Sequence, residues 1–485
     1  MRRRKGFIIA CAVILCAGAP ARVASGQKGG ARQIAVETYV SSSAGARLTP
    51  QGVRDFGFTL KGYVKSAAIV VDDTTEYQKM VGFGASFNEA GQICLNSLSA
   101  ARRAEVLRAL FDPQAGAGFS VMKSPIAATD FMSAGPWYSY DDVPGDVAMA
   151  HFSIARDLAP DGLLPYIKSA RQYGNFIIQS PMDYPPDWML YDVNSHQDVN
   201  PVYYDALARY YVRYLKAYEE NGVHIDYLSL FNEPGIYTKI DYSAIAELIK
   251  NHVGPALAGT RTQLQLSEAP TRTVANLYYP TVLDDPAARA YVANVPYHGY
   301  ETGGFDAVAT LHERYPEFQL WMTELSGGNG PQYDFNNGAF WGEQIASDVE
   351  AGASAWLYWN MILDEDGGPW LVSPVHNDPV INNQHPVVVI NRQTGAVTYT
   401  GLYYYLAHFS KFVRPEATRI GVAGVPAGVR ALAFRNADGQ FVTQLLNADP
   451  QDKQVTLAWR GHALTLTLPA VSITTCLWRA PKLIK

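Results

Sequence analysis

Between residues 82 and 412, short apolar runs alternate with longer stretches in which apolar residues recur every three or four positions. The first kind of run reads as buried strand and the second as amphipathic helix. Strands are predicted at 82–87, 119–122, 176–179, 225–231, 264–267, 295–298, 320–323 and 354–359. Helices are predicted between them at 100–110, with Ser99 as N-cap, and at 163–173, 201–222, 243–257, 287–292, 305–315, 341–351 and 402–412. Pro296 weakens the sixth strand, because proline cannot donate to a ladder. Eight strand–helix units in succession predict an α/β protein built on a (β/α)8 TIM barrel.

Outside that span the period changes to two. Residues 34–40 and 67–72 read as strands, and after residue 415 so do 419–422, 430–435, 440–446, 454–459, 464–468 and 472–478. Asn436-Ala437-Asp438-Gly439 reads as a hairpin turn. These strands predict an attached antiparallel β-sandwich domain to which both chain ends contribute. The expected organisation is an export signal at 1–26, N-terminal sandwich strands at 27–75, the barrel at 76–414 and the remaining sandwich at 415–485. No Pro- or Ser-rich linker separates barrel from sandwich, so firm packing between them is expected.

The N-terminus is patterned differently again. Arg2-Arg3-Arg4-Lys5 precedes an apolar run at 6–18 that is too short to span a bilayer, and small residues follow. Cleavage after residue 26 would take five basic residues with it and shift the net charge from −6 to −11. A secreted or periplasmic chain is expected, with no transmembrane segment once mature. The low charge, 17% of residues, and the lack of a later basic run argue against nucleic acid as a partner. Thirty tyrosines and nine tryptophans suit carbohydrate stacking and large packed cores equally. Cys11 and Cys16 leave with the signal, and Cys94 and Cys476 read as buried free thiols, with one disulfide as the alternative. No metal-ligand spacing and no cofactor motif is present.

Two strands share an unusual design. Tyr227-Leu228-Ser229-Leu230-Phe231-Asn232-Glu233-Pro234 is an apolar strand that ends on a carboxylate, and Gln319-Leu320-Trp321-Met322-Thr323-Glu324 is another. By count these are strands four and seven, which face each other across a barrel mouth. Burial at a strand end raises a carboxyl pKa, as a general acid requires.

Several motifs in matching order resemble glycoside hydrolase family 30, the glucosylceramidase group. They are Gly82-Phe83-Gly84-Ala85-Ser86-Phe87, Asp130-Phe131, Phe152-Ser153-Ile154, Asn232-Glu233-Pro234, Thr323-Glu324, Trp359-Asn360 and Ala407-His408-Phe409-Ser410-Lys411-Phe412. The resemblance covers roughly residues 70–480. It implies retaining hydrolysis of β-glycosides, with Glu233 as acid/base, Glu324 as nucleophile and a carbohydrate as substrate. It also implies that Asn232 bonds the sugar 2-hydroxyl and that Asp130 holds sugar hydroxyls, a loop-capping role being the alternative. Tyr300 is placed to orient a carboxylate, and His298 is either a site residue or a satisfied structural histidine. Trp359 is a sugar platform or core packing, with Asn360 beside it, and Glu268 is an ion-pair partner or a ligand.

Two departures stand out. The family usually has Arg where this chain has Lys123, and Ser-Pro-Trp where it has Ser180-Pro181-Met182-Asp183. A point-charge ammonium is not equivalent to a bidentate guanidinium. The second change removes an aromatic wall and offers Asp183 as a new hydroxyl contact. Both bear on sugar identity: the expected activity is on β-linked glucosyl glycans, with β-xylosidase, β-fucosidase or β-galactosidase action, or silent carbohydrate binding, as alternatives.

Overall fold

The computed structural model describes residues 34–58, 68–132, 135–192, 198–371 and 382–481. The expected export segment, residues 1–26, lies outside the described residues. Eight parallel strands close into a barrel in sequence order: Gly82–Ser86, Val121–Lys123, Ile177–Ser180, Tyr227–Ser229, Gln263–Gln265, Val292–His298, Leu320–Glu324 and Ala353–Asn360. Strand eight pairs in parallel with strand one to complete the ring. Gly84 of strand one permits close packing on strand two, since a Cβ there would collide with the Val121 carbonyl.

Local chemistry explains where prediction and structure differ. Strand four is shorter than expected because residues 230–232 leave the ladder: the Phe231 carbonyl accepts from the Glu268 N–H at 2.8 Å, and Asn232 makes only an isolated bridge to Glu268. Pro296 is tolerated in strand six. Val295 still donates to the Gln319 carbonyl at 3.0 Å, and the Pro296 carbonyl accepts from the Tyr279 hydroxyl at 2.5 Å. The helix expected over 287–292 is the shorter Pro286–Arg289, capped by Asp285, and Val292 already belongs to strand six. The helix expected over 243–257 is broken by a π turn at Ile249–Val253.

Large apolar side chains plug the lower half of the barrel. Val121, Trp321, Ala355 and Leu357 pack together with Ile177 and Tyr227, and the Tyr227 and Trp321 rings meet edge-on with centroids 4.8 Å apart. This core leaves polar side chains to the C-terminal strand ends, where the βα loops of such barrels carry function.

The second domain is a closed nine-stranded sheet made from Ile34–Ser42, Thr49–Phe58, Ala68–Lys79 and six strands between Thr418 and Arg479. All its pairs are antiparallel except Lys453–Trp459 beside Ala68–Lys79. The chain enters the barrel along Ala68–Lys79 and returns along Thr418–Ala423, so these two strands run antiparallel at the junction. His408 ties the domains together. Burial lowers its pKa to about 3, and the neutral ring bonds Thr475 at 2.7 Å and Ser41 at 2.9 Å. Cys94 and Cys476 are both buried and free.

Candidate active site

Strand four ends in a strained turn. Glu233 has φ +46°, a left-handed conformation that costs a non-glycine residue on the order of 1–3 kcal/mol. Two hydrogen bonds hold it there: its N–H donates to the Glu268 carbonyl and its carbonyl accepts from the Ile236 N–H, both at 2.9 Å. The side chain reaches His298 at the end of strand six, with Oε1 2.8 Å from Nδ1. Glu324 ends strand seven. Its Oε1 accepts from the Tyr300 hydroxyl at 2.8 Å, and its Oε2 accepts from Lys123 Nζ. The bonding atoms of Glu233, His298 and Glu324 all lie within 4.8 Å of one another.

Lys123 and Glu268 form the layer beneath. Lys123 Nζ donates to Asn232 Oδ1 at 2.9 Å and to Glu268 Oε2 at 3.0 Å, and lies 5.3 Å from the Trp359 ring centre. Glu268 Oε2 also accepts from Thr323 at 2.8 Å and meets His298 Nε2 at 2.9 Å. Burial alone would favour a neutral Lys123, but the Glu268 and Glu324 carboxylates outweigh it and push its pKa up. Burial likewise opposes ionisation of Glu268, yet Lys123 and His298 hold its pKa down at about 2.

Those charges fix the protons on His298. An ionised Glu268 requires Nε2 to carry hydrogen, so the remaining proton lies between Nδ1 and Glu233. His298 is pushed up to about 9: desolvation opposes this, and Glu324 with the bonds to Glu233 and Glu268 overcomes it. The Glu233 carboxyl is raised, first by burial and further by Glu324, against the pull of His298. A strand-end carboxyl with a raised pKa and a proton-bearing neighbour suits acid/base work.

Three residues expected at the sugar sit deeper than that. Lys123, His298 and Asn360 are each fully buried. The Asn360 amide is spanned by Asn88 at 2.9 Å and Gln384 at 2.5 Å. Their polar atoms are taken up by neighbouring side chains, since a strand end names the direction of a side chain but not its depth. Trp359 is 3% exposed and packs with Ala90, Phe131 and Leu363, beneath the partly buried Trp370. Asp130 is partly exposed and accepts from Asn382 at 2.6 Å; burial and then Glu324 raise its pKa to about 7. Asp183 is 2% exposed, and burial, opposed by Lys123 but reinforced by Glu324 and Asp130, holds its carboxyl well above the usual range. Asn232 is buried at 3% and Tyr300 stands open at 37%.

Sequence reasoning missed Tyr237, Asn382 and Gln384. Burial raises the Tyr237 phenol, and so do the charges of Asp130, Glu233, Asp183 and Glu324. Its only sequence signal is an aromatic residue in the loop just after Glu233-Pro234. Asn382 and Gln384 come from the segment after strand eight. There Ile362–Asp364, Val388–Ile390 and Val397–Tyr399 form a small sheet, and Gln384–His385 pairs with Gly327–Gly328.

Glu233, His298 and Glu324 offer three groups of metal-ligating type. A divalent ion among them would lie against the Lys123 ammonium, which already donates to Glu324. The donor set therefore fits proton transfer and sugar binding better than a metal. A parallel barrel whose mouth gathers close-set carboxyls at the ends of strands four and seven has the form of a carbohydrate-cleaving hydrolase.

The comparisons with known proteins specify the class. Residues 80–413 match the glycosyl hydrolase family 30 TIM-barrel domain, and residues 416–476 match the family 30 beta sandwich domain. The chain belongs to glycosyl hydrolase family 30 and is a glycoside hydrolase. It is 28% identical over 477 residues to an endo-1,6-beta-D-glucanase of Neurospora crassa, covering 91% of this chain and 96% of that one. It is 29% identical over 441 residues to putative glucosylceramidase 4 of Caenorhabditis elegans, covering 84% and 81%. In fold it resembles a solved endo-beta1,6-glucanase, with a TM-score of 0.80 at 24% identity, over 92% of this chain and 99% of that one.

Proposed function

We propose that this chain is an exported, retaining β-glycosidase that cleaves β-linked glucosyl glycans or short β-glucosides, β-1,6-glucan foremost. The observation that carries the reading is that one carboxyl oxygen of Glu233 lies within 4.8 Å of one carboxyl oxygen of Glu324. Retaining enzymes hold their two carboxyl groups about 5–5.5 Å apart, whereas inverting enzymes leave about 6.5–9.5 Å for a water.

In the first step Glu324 attacks the anomeric carbon and Glu233 gives its proton to the departing oxygen, which leaves a glycosyl ester on Glu324. In the second, Glu233 takes a proton from water as that water attacks the same carbon, and Glu324 is released. Tyr300 and Lys123 hold the two oxygens of Glu324 and orient it for attack. Esterification removes the Glu324 charge that helps raise Glu233, so Glu233 becomes a better base when one is needed. Asn232 bonds the 2-hydroxyl, Asp130 holds hydroxyls further round the ring, and Trp359 is the apolar floor.

The preference for β-1,6-glucan draws on the fungal endo-1,6-beta-D-glucanases among the relatives. A glucosylceramide-type substrate is the second reading, favoured by the putative glucosylceramidases at similar identity. Export is supported by Arg2-Arg3-Arg4-Lys5 and the apolar run behind it. A panel of aryl β-glycosides, β-1,6-glucan and glucosylceramide, with Glu324→Gln as control, tests the function. Turnover of β-1,6-glucan and aryl β-glucoside that vanishes in the control is expected, and cleavage of none of the panel would contradict it.

A further inference from the structure

Asp183 is the acidic group in the mouth with the least explanation from the protein itself. Its backbone is clamped from two sides: the preceding Met182 carbonyl accepts from the Asn232 N–H, and the Pro181 carbonyl accepts from the Ile126 N–H, both at 2.8 Å. Met182 also bridges Ile126. The chain after strand three is therefore held rigidly between the ends of strands two and four. The side chain is 2% exposed, and Oδ1 has no hydrogen-bond partner among the described residues. Its charged surroundings come from both neighbouring strand ends and from across the mouth: Lys123 and Asp130 from strand two, Glu233 from strand four and Glu324 from strand seven.

A buried carboxyl oxygen without a partner is rare, because each one costs a lost hydrogen bond with water that nothing replaces. An apolar residue at position 183 would avoid that loss. A substrate hydroxyl entering the mouth would supply that partner.

Strand order says which part of the substrate this is. Strands four, three and two are consecutive neighbours round the barrel. On the proposed reaction, the anomeric carbon lies between Glu324 and Glu233 and the 2-hydroxyl lies on Asn232 of strand four. The next substituent round the ring then falls to the end of strand three, and the one after it to Asp130 beyond strand two. We propose that Asp183 is the specificity-determining residue for the 3-hydroxyl of the sugar that is transferred. The inference rests on the retaining-glycosidase reading and adds a substrate class: glycans whose cleaved unit carries a free 3-hydroxyl, as an unbranched β-1,6-glucan does. A 3-O-substituted unit lacks the hydroxyl that would meet Asp183 Oδ1.

The test compares the best aryl β-glycoside with its 3-deoxy, 4-deoxy and 6-deoxy forms on wild-type enzyme, Asp183→Ala and the isosteric Asp183→Asn. Turnover of the parent by the wild type secures the underlying glycosidase reading before any penalties are compared. Wild-type kcat/KM is expected to drop by about 10⁴ on the 3-deoxy sugar, the scale on which a site built to bond a hydroxyl rejects its absence. In Asp183→Ala that penalty shrinks to about threefold, while the 4-deoxy and 6-deoxy penalties keep their wild-type values. Asp183→Asn, which preserves shape, lies between and guards against a folding defect. A 3-deoxy penalty that persists in both variants, or a 4-deoxy or 6-deoxy penalty that vanishes instead, would overturn the assignment.

Discussion

Two buried ionic clusters lie back to back on strand six. On the outer side, Arg272 Nε and Nη2 each donate to Asp348 at 2.8 Å, and the Tyr297 hydroxyl and Trp356 indole add donors at 3.0 and 3.1 Å. Arg272 Nη1 takes the Gly299 and Gly303 carbonyls at 3.1 and 3.2 Å. One positive charge meets one negative charge and both forks are filled. On the inner side, one residue later, His298 joins Lys123 among Glu233, Glu268 and Glu324, with Asp130 and Asp183 near by. There carboxyls outnumber bases, Glu268 Oε1 and Asp183 Oδ1 have no partner among the described residues, and Glu233 is held in a strained backbone. Alternation along one strand thus sends Tyr297 to a balanced, stabilising cluster and His298 to an unbalanced, reactive one. A buried charge that is matched and saturated marks structure, and one left in excess marks a site that awaits a ligand.

Mutation should separate the clusters cleanly. The largest effect is expected for Glu233→Gln, which removes the proton donor: kcat/KM on a substrate with a poor leaving group should fall by about 10³–10⁴. Thermal stability should hold, and azide should restore turnover of activated aryl glycosides. Asp348→Ala should do the reverse. It strands a buried guanidinium and should destabilise the fold by about 3–5 kcal/mol in denaturant unfolding. Its kcat on the folded protein should stay within about threefold, since local damage adds little across independent clusters. Loss of activity at unchanged stability in Asp348→Ala would break the distinction.

The smallest effect sharpens it through pH. An Asp130 carboxyl raised to about 7 keeps a proton that the unfolded chain gives up near its ordinary value of about 3.9. Folded stability from this group is therefore whole below about pH 4 and is lost as pH climbs toward 7. Glu268, depressed to about 2, works oppositely: its contribution is present at neutral pH and is lost only in strong acid. Melting temperatures measured from pH 4 to 8 should decline less steeply for Asp130→Asn than for wild type. An unchanged slope would show that Asp130 ionises normally.

Much of this was legible in the sequence because barrel strands announce themselves locally. Apolar runs such as Phe176-Ile177-Ile178-Gln179 and the spacing between Glu233 and Glu324 are short-range signals, and they place both glutamates at strand ends. The strand Thr49–Phe58 gave no such signal: Phe56 is buried, but Val53 is exposed and Pro50 and Gly52 look like a turn. The support of Asp130 by Asn382 spans 252 residues and rests on an irregular segment without periodicity. Depth was equally hidden. Lys123, His298 and Asn360 occupy strand ends as expected, but whether such a side chain faces sugar or sits behind the wall depends on partners far away in sequence.

The central claim is that Glu324 becomes covalently attached to the sugar while Glu233 moves the proton. The most direct measurement is trapping with a 2-deoxy-2-fluoro glycosyl fluoride of the fastest-turned-over sugar, followed by mass spectrometry of the peptides. A single adduct on Glu324 is predicted, formed more slowly in Lys123→Ala. An adduct on Glu233 or Glu268, or inactivation-free turnover with inverted product, would contradict it.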